Sequence, residues 1–195
     1  VPGTKNVAPK ERVPGTKKRC QAPKSTIIRG SLMKYIKPTI FISHIHENKE
    51  LVLIIKELID TIFENVLNIF VSSDSESIEL GDEWLMNINE GLKQCDIMLL
   101  ICSPESIYRP WIAFEAGVGW SKGIKVIPLC CFGLTISSLP LPFNRWQAAN
   151  ANREDSLNRL MKIIAKEFEL KYNEIRWKDT IKKYSLLIKG IEENR

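Results

Sequence analysis

Four short apolar runs limit what this chain can fold into. They are TIFIS at 39–43, NIFVS at 68–72, IMLLIC at 97–102 and KVIPLC at 125–130. Each is apolar along its length rather than alternating, the pattern of a parallel strand buried on both faces. The segments between them keep helical spacing. Leu51, Ile54, Ile55, Leu58, Ile59, Ile62 and Phe63 predict a helix over about 47–65. Asp82 is expected to cap a second helix, 83–94, that buries Trp84, Leu85, Ile88 and Leu92. A third, 155–168, carries Leu157, Leu160, Met161, Ile164 and Phe168 on one face. A last helix, 173–191, aligns Trp177, Ile181, Tyr184, Ile188 and Ile191, a stripe that packs on the domain or meets a partner. Residues 145–149 are a candidate fifth strand, and Pro128 suggests a bulge or a place near a sheet edge. Such alternation predicts an α/β fold: a parallel sheet of four to five strands with helices on both faces.

Charge divides the chain unevenly. Residues 1–37 hold ten Lys/Arg against one Glu, so the net charge of +5 belongs to this segment and the remainder is acidic. VPGTK occurs twice there, among Pro, Lys and Ala, and the segment is expected to be a basic, disordered tail. Met33 would be a natural start. The expected organisation is therefore a tail at 1–37, an α/β domain at 38–170 and a C-terminal helix at 171–195. No apolar run approaches the roughly 20 residues of a spanning helix, and the N-terminus lacks a secretory apolar core. A soluble, cytoplasmic protein with no membrane partner is the expectation. The acidic domain is not expected to bind nucleic acid. None of the five cysteines lies in a CxxC pair, so they read as reduced core thiols. His44 and His46 form an HxH pair with no evident partner ligands, and no metal site is expected.

In open parallel sheets the ligand sits outside the carboxyl ends of the strands, where strand order reverses. Three segments should converge there: 43–48, 73–81 and 103–115. The last opens SPESIYRPWIAFEAGVGW, 103–120, and carries Glu115, the only acidic residue between Ser106 and Arg153. Trp111, Phe114, Val118 and Trp120 surround it in sequence, and the aromatic rings among them are expected to wall it in. Gly117 and Gly119 form a lone GxG, a weak signal; a GxGxxG, a Walker loop and a GxSxG are all missing. Dehydrogenase, P-loop and serine-hydrolase chemistries are thereby disfavoured. One carboxylate suffices to cleave an N-glycosidic bond whose leaving group departs without protonation, as cationic nicotinamide does from NAD+. The carboxylate stabilises the oxocarbenium-like ribose. Trp111, four residues earlier on the same helical face, can wall the pocket or stack on a flat ring. Ordinary readings stand beside these: a surface or capping role for Glu115, core packing for Trp111 and Trp120, turn chemistry for Ser73–Ser75, solvation for His44.

The same residues resemble the bacterial Toll/interleukin-1 receptor (TIR) domains. The resemblance covers about 39–168 and rests on FISH after the first strand, SxD and GDxW around the next loop, SPxS after the third strand, and WxxxE on the following helix. It implies a flavodoxin-like fold. Many prokaryotic members hydrolyse or cyclise NAD+, often in anti-phage defence; others are adaptors without activity. By this resemblance Glu115 is catalytic, with Trp111 as its partner. Ser43, His44 and His46 contact substrate, and the loop from Ser73 through Trp84, including Asp74, gates the site and mediates self-association. Several NAD-cleaving members carry arginines in the first loop, where this chain has Ile45 and His46. NAD+ is then a substrate, and no cofactor is implied.

Overall fold

The computed structural model describes residues 37–72 and 95–195. Five parallel strands form one sheet in the order β2-β1-β3-β4-β5. They are β1 (Thr39–Ser43), β2 (Asn68–Val71), β3 (Cys95–Cys102), β4 (Lys125–Cys130) and β5 (Ala149–Asn150). Among the described residues, four helices accompany them: α1 (Lys49–Ile62), α2 (Pro110–Ser121), α3 (Glu154–Glu167) and α4 (Glu174–Glu193). Strand addition reverses direction between β1 and β3, so their carboxyl ends frame the crevice where such sheets bind ligands.

Strand alternation sends successive side chains to opposite faces. Ile40 and Ile42 of β1, with Ile97, Leu99 and Ile101 of β3, join the buried faces of α1, α3 and α4 in one aliphatic cluster. Phe41, Met98, Leu100 and Cys102 face the other way, with Ile112 and Ala116 of α2. In α3 the spacing of Leu157, Leu160, Met161 and Ile164 aims all four at the sheet; each such burial contributes about 1.5–3 kcal/mol. Asn173 caps α4 by accepting from the backbone N–H groups of Ile175 and Arg176 at 3.0 and 3.1 Å. The helix then lays Ile181, Tyr184 and Ile188 into the aliphatic cluster.

Two local expectations change, and of the two alternatives for Pro128 the place near a sheet edge holds. β3 begins at Cys95, two residues before the apolar run, because Cys95 pairs with Thr39 and the Asp96 carboxylate accepts the Thr39 N–H at 3.4 Å. Residues 145–149 are not a strand. Phe143–Arg145 is a 3-10 turn anchored by buried Phe143, and only Ala149–Asn150 pairs with β4. Pro128 makes no bulge: β3 and β4 stay in register through Leu100↔Pro128. The β5 ladder starts one residue later, at Leu129, so the missing N–H of Pro128 falls where β4 has no second neighbour among the described residues. Among those residues, no helix is long and apolar enough to cross a membrane.

Candidate active site

Ser43 ends β1 and points, like Phe41 two residues earlier, to the α2 side of the sheet. Its hydroxyl donates a hydrogen bond to Glu115 Oε2 on α2. Both residues are 0% exposed. Glu115 occupies a core position, since Ile112, Glu115, Ala116 and Gly119 recur at the spacing of a helix's buried stripe. Gly119 explains how close α2 lies. A Cβ there would stand 2.9 Å from Met98 Cε and 3.2 Å from Val126 Cγ2, whereas one at Gly117 would meet nothing within 4 Å. The GxG is thus a packing device at its second glycine. Sinking α2 onto β3 and β4 brings the carboxylate down to the end of β1. Burying an ionised carboxylate costs several kcal/mol unless hydrogen bonds compensate, and the Ser43 hydroxyl supplies one.

The aromatic enclosure expected around Glu115 is smaller than the sequence suggests. Trp111, one turn before Glu115, packs against the Phe41 cluster, with its ring 5.0 Å from that of Phe114. Phe114 and Trp120 are not pocket walls: they are 46% and 70% exposed. Five residues beyond Glu115, Trp120 lies about 140° round the helix, on its outer side.

His44 leaves β1 on the opposite course from Ser43 and is buried beside Ser72. Its N–H donates to Ser72 Oγ at 3.3 Å, and its Nδ1 lies 3.5 Å from the same oxygen. Burial, reinforced by Lys49 and His46, lowers its pKa to about 4, so the imidazole is neutral at physiological pH. His46 is exposed, at the start of a 3-10 turn, His46–Asn48. Ser73, Asp74, Trp84 and the predicted helix 83–94 lie outside the described residues, as do 1–36. Of the residues singled out by sequence, the fold brings together Ser43 and Glu115, with Trp111 a turn away.

Two buried polar residues escaped the sequence reading as site elements. Asn48 donates from Nδ2 to Ser103 Oγ at 3.2 Å, joining the loop after β1 to the loop after β3. Ser106 accepts the Ser103 N–H at 2.7 Å and donates to the Ile101 carbonyl at 2.8 Å, closing the turn that leads to α2. The S-P-x-S spacing was the available signal for Ser106; nothing in the sequence marked Asn48. Outside this buried core, Arg109 pairs with Glu47 at 3.1 Å, an exposed bridge worth at most about 1 kcal/mol.

Among the described residues, no three His, Cys, Asp or Glu side chains could hold a metal ion. Cys95, Cys102, Cys130 and Cys131 are free and buried. Burial pushes the Cys130 thiol up to about 11 and Cys95 to about 12, which leaves them protonated and unreactive. Open clefts of about 510 Å³ along the outside of α1 and about 430 Å³ between the end of α1 and the start of α4 include neither Ser43 nor Glu115. The carboxylate is closed off in this conformation.

The family model of the TIR domain matches residues 40–164. The chain belongs to the TIR-domain family. Its five-stranded parallel sheet, in the order given above, is the TIR fold. Among solved structures, this TIR domain is similar to a metazoan TIR-STING receptor from C. gigas in complex with 2′,3′-cGAMP, at 15% identity and a TM-score of 0.46. That likeness covers 66% of this chain and 38% of the receptor, so the chain spans well under half of that protein's length. It is also similar to the TIR domains of the activated Roq1 resistosome directly recognising the pathogen effector XopQ, at 9% identity and a TM-score of 0.40. Coverage there is 80% of this chain and 84% of the other. No curated protein matches the chain.

Proposed function

We propose that this TIR domain cleaves the nicotinamide–ribose bond of NAD+, with Glu115 as the catalytic carboxylate. The observation that carries the reading is the buried Ser43–Glu115 hydrogen bond at the carboxyl end of β1. An acidic side chain in the core of an otherwise apolar helix serves the fold poorly, and its position at the strand-order reversal is where such sheets bind ligands. In the reaction the C1′–N bond breaks and its electron pair leaves with nicotinamide, which departs neutral. The ribose C1′ becomes cationic, and Glu115 stabilises that charge in surroundings of low dielectric. Water then attacks C1′ and loses a proton, giving ADP-ribose; capture by a nucleophile within the same molecule gives a cyclic product instead. A ribose hydroxyl replaces Ser43 as donor to the carboxylate, and Trp111 walls the nicotinamide side. Ser43, His44, His46, Ser73, Asp74, Trp84 and Trp111 complete the proposed binding surface. Because the Glu115 side chain is fully buried, substrate binding requires its surroundings to rearrange, which makes that rearrangement part of the catalytic cycle. Consumption of NAD+ suits a role in cellular defence or signalling, in the cytoplasm.

The second reading is a TIR scaffold without activity that works by self-association. The exposed Phe114 and Trp120 on the outer side of α2 favour it, and in that case the Ser43–Glu115 bond merely ties α2 to β1. Purified protein mixed with NAD+ separates the two. Release of nicotinamide that rises more steeply than protein concentration, and that Glu115→Ala abolishes, supports an enzyme that assembles to work. A folded protein that releases none, even in a crowding agent, is a scaffold.

A further inference from the structure

The family match stops at residue 164, yet α4 beyond it reaches back to the candidate site. Its inner stripe is locked into the aliphatic cluster by Ile181, Tyr184 and Ile188, which fixes where its last turn lies. That turn and the two residues beyond it touch the loops after β1, β3, β4 and β5. Arg195 donates from Nη1 to Asn48 Oδ1 at 2.9 Å, in the loop after β1. Its Nη2 lies 3.7 Å from Glu105 Oε2, in the loop after β3. The same guanidinium sits 4.2 Å above the Phe132 ring, just after β4. Glu192 accepts the Phe132 N–H at 2.7 Å, and its other oxygen accepts from Asn152 Nδ2, just after β5, at 2.6 Å.

We infer that Glu192 and Arg195 are positioning residues: the last turn of α4 and the residues just after it form a clamp that sets the strand-end loops around Ser43 and Glu115. The inference rests on the NAD-cleaving reading for its catalytic consequence, though not for the clamp itself. The route from Arg195 is short and buried at its middle. Arg195 orients the Asn48 amide so that its Nδ2 is presented to Ser103. Asn48 is fully buried, with its N–H bonded to the Ile45 carbonyl at 2.9 Å, so turning its amide disturbs the loop that begins at Ser43. Ser103 in turn opens the segment that delivers α2 and Glu115. Arginine suits this place because one planar fork reaches an amide oxygen, a carboxylate and a ring face together. Lysine retains a donor and a charge but loses that combination.

The test uses the full chain and three variants, Arg195→Ala, Arg195→Lys and Glu192→Gln. Nicotinamide release gives kcat and KM, and amide hydrogen exchange follows residues 44–48 and 131–134. Arg195→Ala is expected to lower kcat by about tenfold to a hundredfold, the upper figure being what a misplacement of about an ångström costs, with KM and melting temperature nearly unchanged. Exchange should speed up at 44–48, and Arg195→Lys should recover part of both effects. Glu192→Gln should loosen 131–134 first. If Arg195→Ala changes neither kcat nor exchange, the clamp is wrong. If the unaltered protein releases no nicotinamide, exchange alone decides: faster exchange at 44–48 keeps the clamp while the NAD reading falls, and unchanged exchange removes both.

Discussion

Helices α2 and α3 pack on the two sides of one sheet, and they place their charged residues oppositely. α3 buries Leu157, Leu160, Met161 and Ile164 and turns Glu154, Asp155, Arg159, Lys162 and Lys166 outward. That is how a helix reads when folding alone has chosen its sequence. α2 also buries Ile112 and Ala116, but it exposes Phe114 and Trp120 and buries its one acidic residue, Glu115. Nothing about covering a sheet requires this. Where two equivalent structural tasks are met by opposite sequences, the departure marks the helix that is constrained by something besides stability.

Changes at the two inner faces should therefore separate activity from stability. Glu115→Ala is expected to lower nicotinamide release by a factor of about a hundred to a thousand, the scale set by losing an electrostatic stabiliser. Glu115→Leu should be as inactive and yet at least as stable as the parent, because replacing a buried charge with an apolar group of similar size is often neutral or stabilising. A large drop in melting temperature for Glu115→Leu would make the carboxylate structural and erase the contrast. On the other helix, Ile164→Ala should cost about 2–5 kcal/mol in chemical denaturation while folded protein keeps its turnover.

The acid side of the stability profile sharpens the comparison at β1. His44 titrates near 4 in the folded state, against 6.5 when unperturbed. The unfolded chain thus binds the proton first, and its stabilising contribution, present above about 6.5, is lost as pH falls toward 4. The loss amounts to at most about 3 kcal/mol. Equilibrium unfolding between pH 7 and 4 should show that slope, and His44→Asn should flatten it. Smaller still is the contrast within α2. Gly117→Ala, with open space for its Cβ, should gain about 0.5–1 kcal/mol of helix propensity. Gly119→Ala should fall about 1–2 kcal/mol below it, because Met98 and Val126 must give way. Phe114→Ser and Trp120→Ser should leave stability within about 0.5 kcal/mol; if sedimentation shows them less associated than the parent, the outer side of α2 meets another copy.

Hydrophobic period was enough to reveal the sheet. Runs such as IMLLIC and the stripe from Leu51 to Ile62 have one physical solution each, and both stand where the sequence reading put them. Composition was enough to isolate Glu115, since a lone acid in a long stretch that is otherwise apolar, polar or basic is visible without coordinates. Long-range approach was not legible. That Trp120 faces out depends on which side of α2 the sheet takes, and a helix apolar all round does not declare its inner side. Asn48 looked like any loop residue until Ser103 and Arg195, distant in sequence, closed on it. Strand β5 was misplaced for a like reason: its two residues pair because β4 passes beside them, not because their own sequence favours a strand.

One measurement bears most directly on the account: free nicotinamide released from NAD+ by the full chain and by Glu115→Gln, at matched concentration, both checked for folding by circular dichroism. Release by the parent and none above background by the variant, with superimposable spectra, is the predicted result. Equal release by both proteins, or none from a well-folded parent at any concentration, would contradict it.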